Sequence, residues 1–161
     1  MKKIGPKVAD CFVYTEREGM LAPIGHDLKI EVTRFEVEVS EDGAIHAEFD
    51  PESLEVLGAM HNGELDRDDI SAKDRKKIQK NIGKDVLETR KHSAIEFEST
   101  RVSRDGESVD ISGTLALHGV RKEISFKLAH QLDEWATRFV IHQPDFGIEP
   151  YKALMGQLRL K

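Results

Sequence analysis

Seven histidines, one cysteine and a pair of glutamates two residues apart are the groups whose chemistry could go beyond packing. The histidines are His26, His46, His61, His92, His118, His130 and His142. Zinc ligands recur at short spacings such as H-x-x-x-H or C-x-x-C, because such spacings put two donors on one face or one turn. No such spacing occurs here, so no metal is expected. His26 and Asp27 are chain neighbours and would point to opposite faces of a strand. His118 and His142 read as structural or headgroup-contact groups. Glu96 and Glu98 share one face, and paired carboxylates can do acid and base work. They alternate with Ile95 and Phe97, however, and so occupy the solvated side of a half-buried strand. Cys11 shares a face with Ala9 and Val13, which favours a packed thiol over a nucleophile. There is no G-x-S-x-G elbow, and "IGHD" and "NIGKD" hold isolated glycines rather than a phosphate loop. Neither catalysis nor a cofactor is expected.

The elements that would carry these groups are mostly strands. In "ISGTLALHGVRKEISFKL", Ile111, Leu115 and Leu117 share one parity, and Ile124, Phe126 and Leu128 share the parity that follows the break. That is the period of two half-buried strands, and His118-Gly119 between them suits the positive φ of a tight turn. Residues 109–128 are therefore predicted to form a hairpin. Further runs are 8–15, Leu28/Ile30/Val32, Phe35/Val37/Val39 after a parity slip at Thr33-Arg34, Ile45/Ala47/Phe49 after an Asp42-Gly43 turn, Leu54/Val56, Ile95/Phe97, Phe139/Ile141, and a closing run with Leu154, Leu158 and Leu160. Gly19, Pro23 and Gly25 punctuate the link after the first run.

One interval breaks the pattern. Ser71 followed by Asp74 is a capping signal, Ala72, Ile78 and Ile82 fall on one side of a helix, and Gly83 is a natural stop. One α-helix is predicted at about 71–83. The charges around it, of both signs, read as a solvated face, or alternatively as a lid over a cavity.

A chain of 161 residues can bury a sizeable core as one domain, 1–161, without a staple. The net charge of −6, with no basic stripe interleaved with aromatics, disfavours nucleic acid and anionic membranes. No run approaches a membrane span, so stable insertion is not expected. "MKKIGPKVADCFVY" lacks a secretory core, which predicts a cytoplasmic location, or a periplasmic one if a leader has been removed. About ten short strands and one helix imply a mainly β, antiparallel architecture, either a closed barrel or a sandwich.

Three phrases in order, "IEFESTRV", "ISGTLALHGVRKEISF" and "VIHQPDFGI", resemble signatures of the YceI-like family, and "GHDLKIEV" and "DPESLEVL" agree more loosely. The resemblance implies a lipocalin-like antiparallel barrel of about eight to ten strands, whose lumen holds a polyisoprenoid or another long amphipathic lipid. The lumen candidates are Leu28, Ile30, Phe35, Val37, Ile45, Phe49, Ile95, Phe97, Leu115, Leu117, Ile124, Phe126, Phe139 and Ile141, on the regular faces of their strands. His26, Asp27, His118 and Asp145 are candidates for the headgroup end. The leading expectation is a non-enzymatic carrier or store of an apolar lipid, isoprenoid or fatty-acid-like. The alternative is a solidly filled barrel acting through its surface as a homodimeric scaffold or stress-response protein. An enzyme acting on lipid comes third.

Overall fold

The computed structural model describes residues 1–18, 27–148, 151–153 and 156–160. Thirteen strands form among them, more than the eight to ten expected. They are β1 (Lys2–Ile4), β2 (Phe12–Glu18), β3 (Leu28–Val32), β4 (Phe35–Val39), β5 (Ile45–Phe49), β6 (Leu54–His61), β7 (Glu64–Asp66), β8 (Ile95–Asp105), β9 (Ser108–Leu117), β10 (Val120–Gln131), β11 (Glu134–Ala136), β12 (Tyr151–Ala153) and β13 (Gly156–Leu160). The fold is mainly β and lipocalin-like. A curled antiparallel half-barrel of seven strands, in the order β1-β4-β5-β8-β9-β10-β11, is joined by a second sheet in the order β12-β13-β2-β3-β6-β7.

The parity slip at Thr33-Arg34 has a structural meaning: β3 belongs to the six-stranded sheet and β4 to the seven-stranded one. The chain crosses back through a single 3₁₀ turn, Pro51–Ser53, which Asp50 caps by accepting from the Glu52 N–H at 2.9 Å. Ser53 holds both crossings together. Its hydroxyl donates to the Asp50 carbonyl at 2.7 Å and accepts from the Arg34 N–H at 3.0 Å, and its carbonyl accepts from the Thr33 hydroxyl at 2.8 Å. A buried serine at a chain reversal thus satisfies backbone groups that would otherwise be orphaned.

The central hairpin is as predicted. β9 and β10 pair from Leu117↔Val120 to Ser108↔Ala129, with His118 at φ 55° and Gly119 at φ 75°, the left-handed pair of a two-residue turn. The core lies between the sheets. Leu28, Ile30, Val32 and Val56 from one sheet meet Ala47, Phe97, Ile111, Leu115 and Leu117 from the other, all buried.

Several expectations need correction. The first run is β2, which begins at Phe12, and a short β1 precedes it; Val8 is exposed and outside any strand. The helix α1 covers Ala72–Asn81, with the Ser71 hydroxyl accepting from Asp74 N–H at 3.1 Å as the capping signal implied. Gly83 does not stop it: the chain widens into a π turn, Ile82–Val86, which buries Ile82, Val86 and Leu87 at once. Phe139 and Ile141 do not lie on a strand. β11 ends at Ala136, and the Thr137 hydroxyl donates to the Lys127 carbonyl at 2.8 Å, occupying the next acceptor of the β10 ladder. Leu154 and the punctuated link with Gly19, Pro23 and Gly25 lie outside the described residues.

Candidate functional site: an apolar wall and its capped end

Period-two alternation on β4, β5, β8, β9 and β10 turns one set of side chains inward, and register stacks them into a wall. Phe35 pairs with Phe49, Phe49 with Ile95, Ala47 with Phe97, Phe97 with Leu115, and Ile111 with Phe126. The lumen candidates fall into two groups by coverage. Leu28, Ile30, Phe97, Leu115 and Leu117 are fully buried. Phe35, Val37, Ile45, Phe49, Ile95, Ile124, Phe126 and Ile141 pack against that core and remain half-buried. Phe139 is also half-buried, and although it is off any strand it stacks on Phe126 with ring centroids 4.7 Å apart and planes 14° from parallel. Phe126 in turn lies 5.5 Å from Phe97, so three rings run from the deep core toward the covering segment.

Gly113 makes room for this stack. A Cβ there would meet the Glu98 carbonyl and the Phe97 ring, so only glycine lets the ring lie flat on β9.

The end of the hairpin is capped by polar groups. His118, whose side chain is 12% exposed, has Nδ1 3.1 Å from the Phe146 carbonyl and Nε2 3.0 Å from Glu88 Oε1. Both partners are acceptors: a ring donating from one nitrogen satisfies one of them, and an imidazolium satisfies both. His92 meets the same ring edge-on at 4.6 Å. One histidine therefore ties the β9–β10 turn to the link after the π turn and to the 3₁₀ turn Gln143–Phe146. Glu88 is held below the usual carboxylate range, first by its hydrogen bond with His118, then by Lys91 at 3.1 Å.

Asp145, on that 3₁₀ turn, pairs with Lys122 at 3.7 Å. Lys122 is a residue that the sequence reading passed over. It shares the parity of Ile124 and Phe126 and pairs in register with buried Leu115, which puts a cation on the inward face at its end. The signal was present as one charged residue on the apolar parity of β10.

The candidate headgroup residues are thus only partly gathered. His118 and Asp145 share the capped end. Asp27 immediately precedes β3, its carbonyl accepting from the Met60 N–H at 2.8 Å, and His26 lies outside the described residues.

The other chemically suggestive groups sort as follows. Glu96 is half-buried and Glu98 exposed on the outer face, where Glu98 pairs in register with His46. His130 packs on Trp135 at 4.9 Å, and His142 is exposed. Burial pushes the Cys11 thiol up to about 11, so it is protonated at neutral pH. His61, Asp66 and Asp69 are brought together on the surface, their ligating atoms within 4.8 Å of one another, with His61 Nε2 2.8 Å from Asp69 Oδ2. Spacing in sequence hid that group, because the Asn62-Gly63 turn and the Asp66 turn create it. The described concavities, about 480 Å³ beside Met1, Ser40, Glu41 and Asp42 and about 450 Å³ beside His61, Glu64 and Asp66, are lined by none of the lumen candidates.

A curled antiparallel half-barrel with an apolar inner wall and a polar cap defines a lipocalin-like protein. The chain belongs to the YceI-like family: the YceI-like domain matches residues 17–159. No curated protein matches it in sequence. Among solved structures it is similar in fold to BcnA from Burkholderia cenocepacia, at 12% identity over 92% of this chain and 91% of that one, TM-score 0.59. A polyisoprenoid binding domain from Saccharophagus degradans, described as implicated in plant cell wall breakdown, aligns at 14% identity over 86% of this chain and 75% of that one, TM-score 0.55. The YceI protein of Campylobacter jejuni aligns at 14% identity over 83% and 76%, TM-score 0.53.

Proposed function

We propose that this chain reversibly holds an apolar or amphipathic lipid, isoprenoid or fatty-acid-like, against the inner wall of the seven-stranded sheet, without making or breaking bonds. One observation carries the reading: the inward apolar residues Phe35, Val37, Ile45, Phe49, Ile95, Ile124 and Phe126 pack on the core yet stay half-buried. The apolar wall exceeds the core that covers it, and a lipid tail is an occupant of matching chemistry. Each methylene taken from water contributes about 0.8 kcal/mol, so ten offer roughly 8 kcal/mol before ordering costs. Lys122, Asp145 and His118 would meet a polar head at the capped end. The shared fold of a polyisoprenoid binding domain supports the same reading.

The test is mass spectrometry of an organic extract of the purified protein. A lipid present at close to one equivalent supports the proposal. An empty extract, together with no saturable binding of a fluorescent prenyl or fatty ligand, rejects it.

A second reading is a scaffold acting through its surface as a homodimer. It is favoured by Leu132, Trp135 and Val140, apolar and exposed beside the edge strand β11. Its signature is a concentration-dependent mass in solution with no lipid in the extract.

A further inference from the structure

Helix α1 is fastened by one face only. Ile78 is buried, Gln79 Oε1 accepts from the Val56 N–H at 3.0 Å, and Arg75 Nη1 donates to the Arg67 and Ile70 carbonyls at 2.6 and 2.7 Å. At about 100° per residue, Lys73, Lys76, Lys77 and Lys80 fall on the opposite arc. All four are exposed, and exposed Lys84 in the π turn extends the row. No carboxylate lies within that arc, and none of these lysines enters the ion pairs of the described residues. Residues 72–91 carry eight Lys and Arg against three Asp and Glu, in a chain with 24 basic and 30 acidic residues overall. The net charge of −6 thus conceals a segregated field: a cationic helix face on an otherwise strongly acidic molecule.

We propose that this lysine face docks the protein on an anionic lipid bilayer, where it loads or releases its lipid; the inference rests on the lipid-carrier reading above. Charge complementarity selects the partner. Lysine ammoniums are point charges on flexible stems, suited to a plane of headgroup phosphates whose positions are not fixed. No aromatic residue interleaves with the lysines to stack a base, and the acidic remainder of the surface repels a polyanion that wraps around it. Against a flat bilayer the same repulsion is useful, since it leaves one orientation favoured. The chain runs from the helix through the π turn to Glu88, which bonds His118, so the docking face and the capped end are joined by one short segment.

The experiment is flotation of the full chain with phosphatidylcholine vesicles, with and without about 30% phosphatidylglycerol, at about 0.05 and 0.5 M salt. Binding to the anionic vesicles alone, lost at high salt, is expected. The joint variant Lys76→Gln, Lys77→Gln, Lys80→Gln, Lys84→Gln should weaken binding by well over tenfold, at roughly fivefold per lysine, with its melting temperature unchanged. Lys73 adjoins the acidic link of Asp66, Asp68 and Asp69, and Lys73→Gln alone should matter least. Binding of a soluble fluorescent prenyl ligand without vesicles should be the same in variant and parent, which separates docking from cargo. Loss of cargo binding with docking intact would remove the carrier reading but leave the membrane face standing. No binding to anionic vesicles at low salt, equal binding by the variant, or tighter capture of a single-stranded oligonucleotide than of vesicles would overturn the proposal.

Discussion

His118 shows how much one side chain can join. It occupies a left-handed turn position, fills a nearly closed site and bonds two segments distant in sequence, Glu88 and Phe146. Glu88, with its depressed folded-state pKa, contributes stability that is present above its ordinary value of 4.5 and lost as the pH falls through the lower folded value. Glu88→Gln keeps an acceptor for His118 but abolishes that charge. The melting-temperature gap between parent and Glu88→Gln should therefore be present near neutral pH and narrow as the pH falls below Glu88's ordinary value, and a gap that does not change with acidification would contradict the assignment. Cys11 titrates in the opposite sense. Its thiol is raised from 9.0 to about 11, so the folded state keeps a proton that the unfolded chain gives up, and stability should fall as the pH rises through that window. At pH 8 a thiol reagent should label the folded protein far more slowly than the urea-unfolded chain; comparable rates would mean the thiol is not packed.

At the scale of elements, the β9–β10 hairpin is where packing tolerates least. Leu117 is 5% exposed and immediately precedes the turn, so Leu117→Asp would bury an unpaired carboxylate and should cost about 4 kcal/mol or more, enough to prevent accumulation of soluble protein. Gly113→Ala is the subtler probe. Its methyl would press on the Phe97 ring and the Glu98 backbone, and urea denaturation should report a loss of about 1–3 kcal/mol. This hairpin was legible in the sequence because uninterrupted alternation and a His-Gly turn both specify it locally. The capping of α1 by Ser71 was legible for the same reason. What escaped the sequence was decided by contacts between distant segments. The π turn at Ile82–Val86 exists because three apolar side chains must reach the core, overriding Gly83. The segment with Phe139 and Ile141 alternates like a strand but loses its ladder partner to the Thr137 hydroxyl. The cap of His118, Glu88, Lys122 and Asp145 joins residues up to 57 positions apart by number: His118 and Asp145 were candidates from the sequence, Lys122 left an unused trace as a charge on an apolar parity, and Glu88 left none.

For the molecule as a whole, the inner wall and the cap should be separable by titration with prenyl or fatty ligands of graded length. Phe126→Trp enlarges a half-buried ring on the wall and should weaken binding of long chains several-fold while sparing short ones. His118→Gln, acting at the capped end, should alter the preference between head groups more than between chain lengths. Equal affinity for all lengths in a folded Phe126→Trp protein would place the ligand elsewhere and favour the scaffold reading.

The alternation of the chain between sheets sets a timescale as well as a shape. β1 belongs with β4, yet β2 and β3 between them are laid into the other sheet, and β13 returns to pair with β2 across most of the chain. Neither sheet is a contiguous stretch of polypeptide; the seven-stranded sheet can still grow strand by strand in chain order, but the six-stranded sheet is complete only when β13 has met β2. Such long loop closures place refolding in the slow range for β proteins, on the order of milliseconds to seconds, and make the unfinished chain a client for chaperones until its last strand arrives.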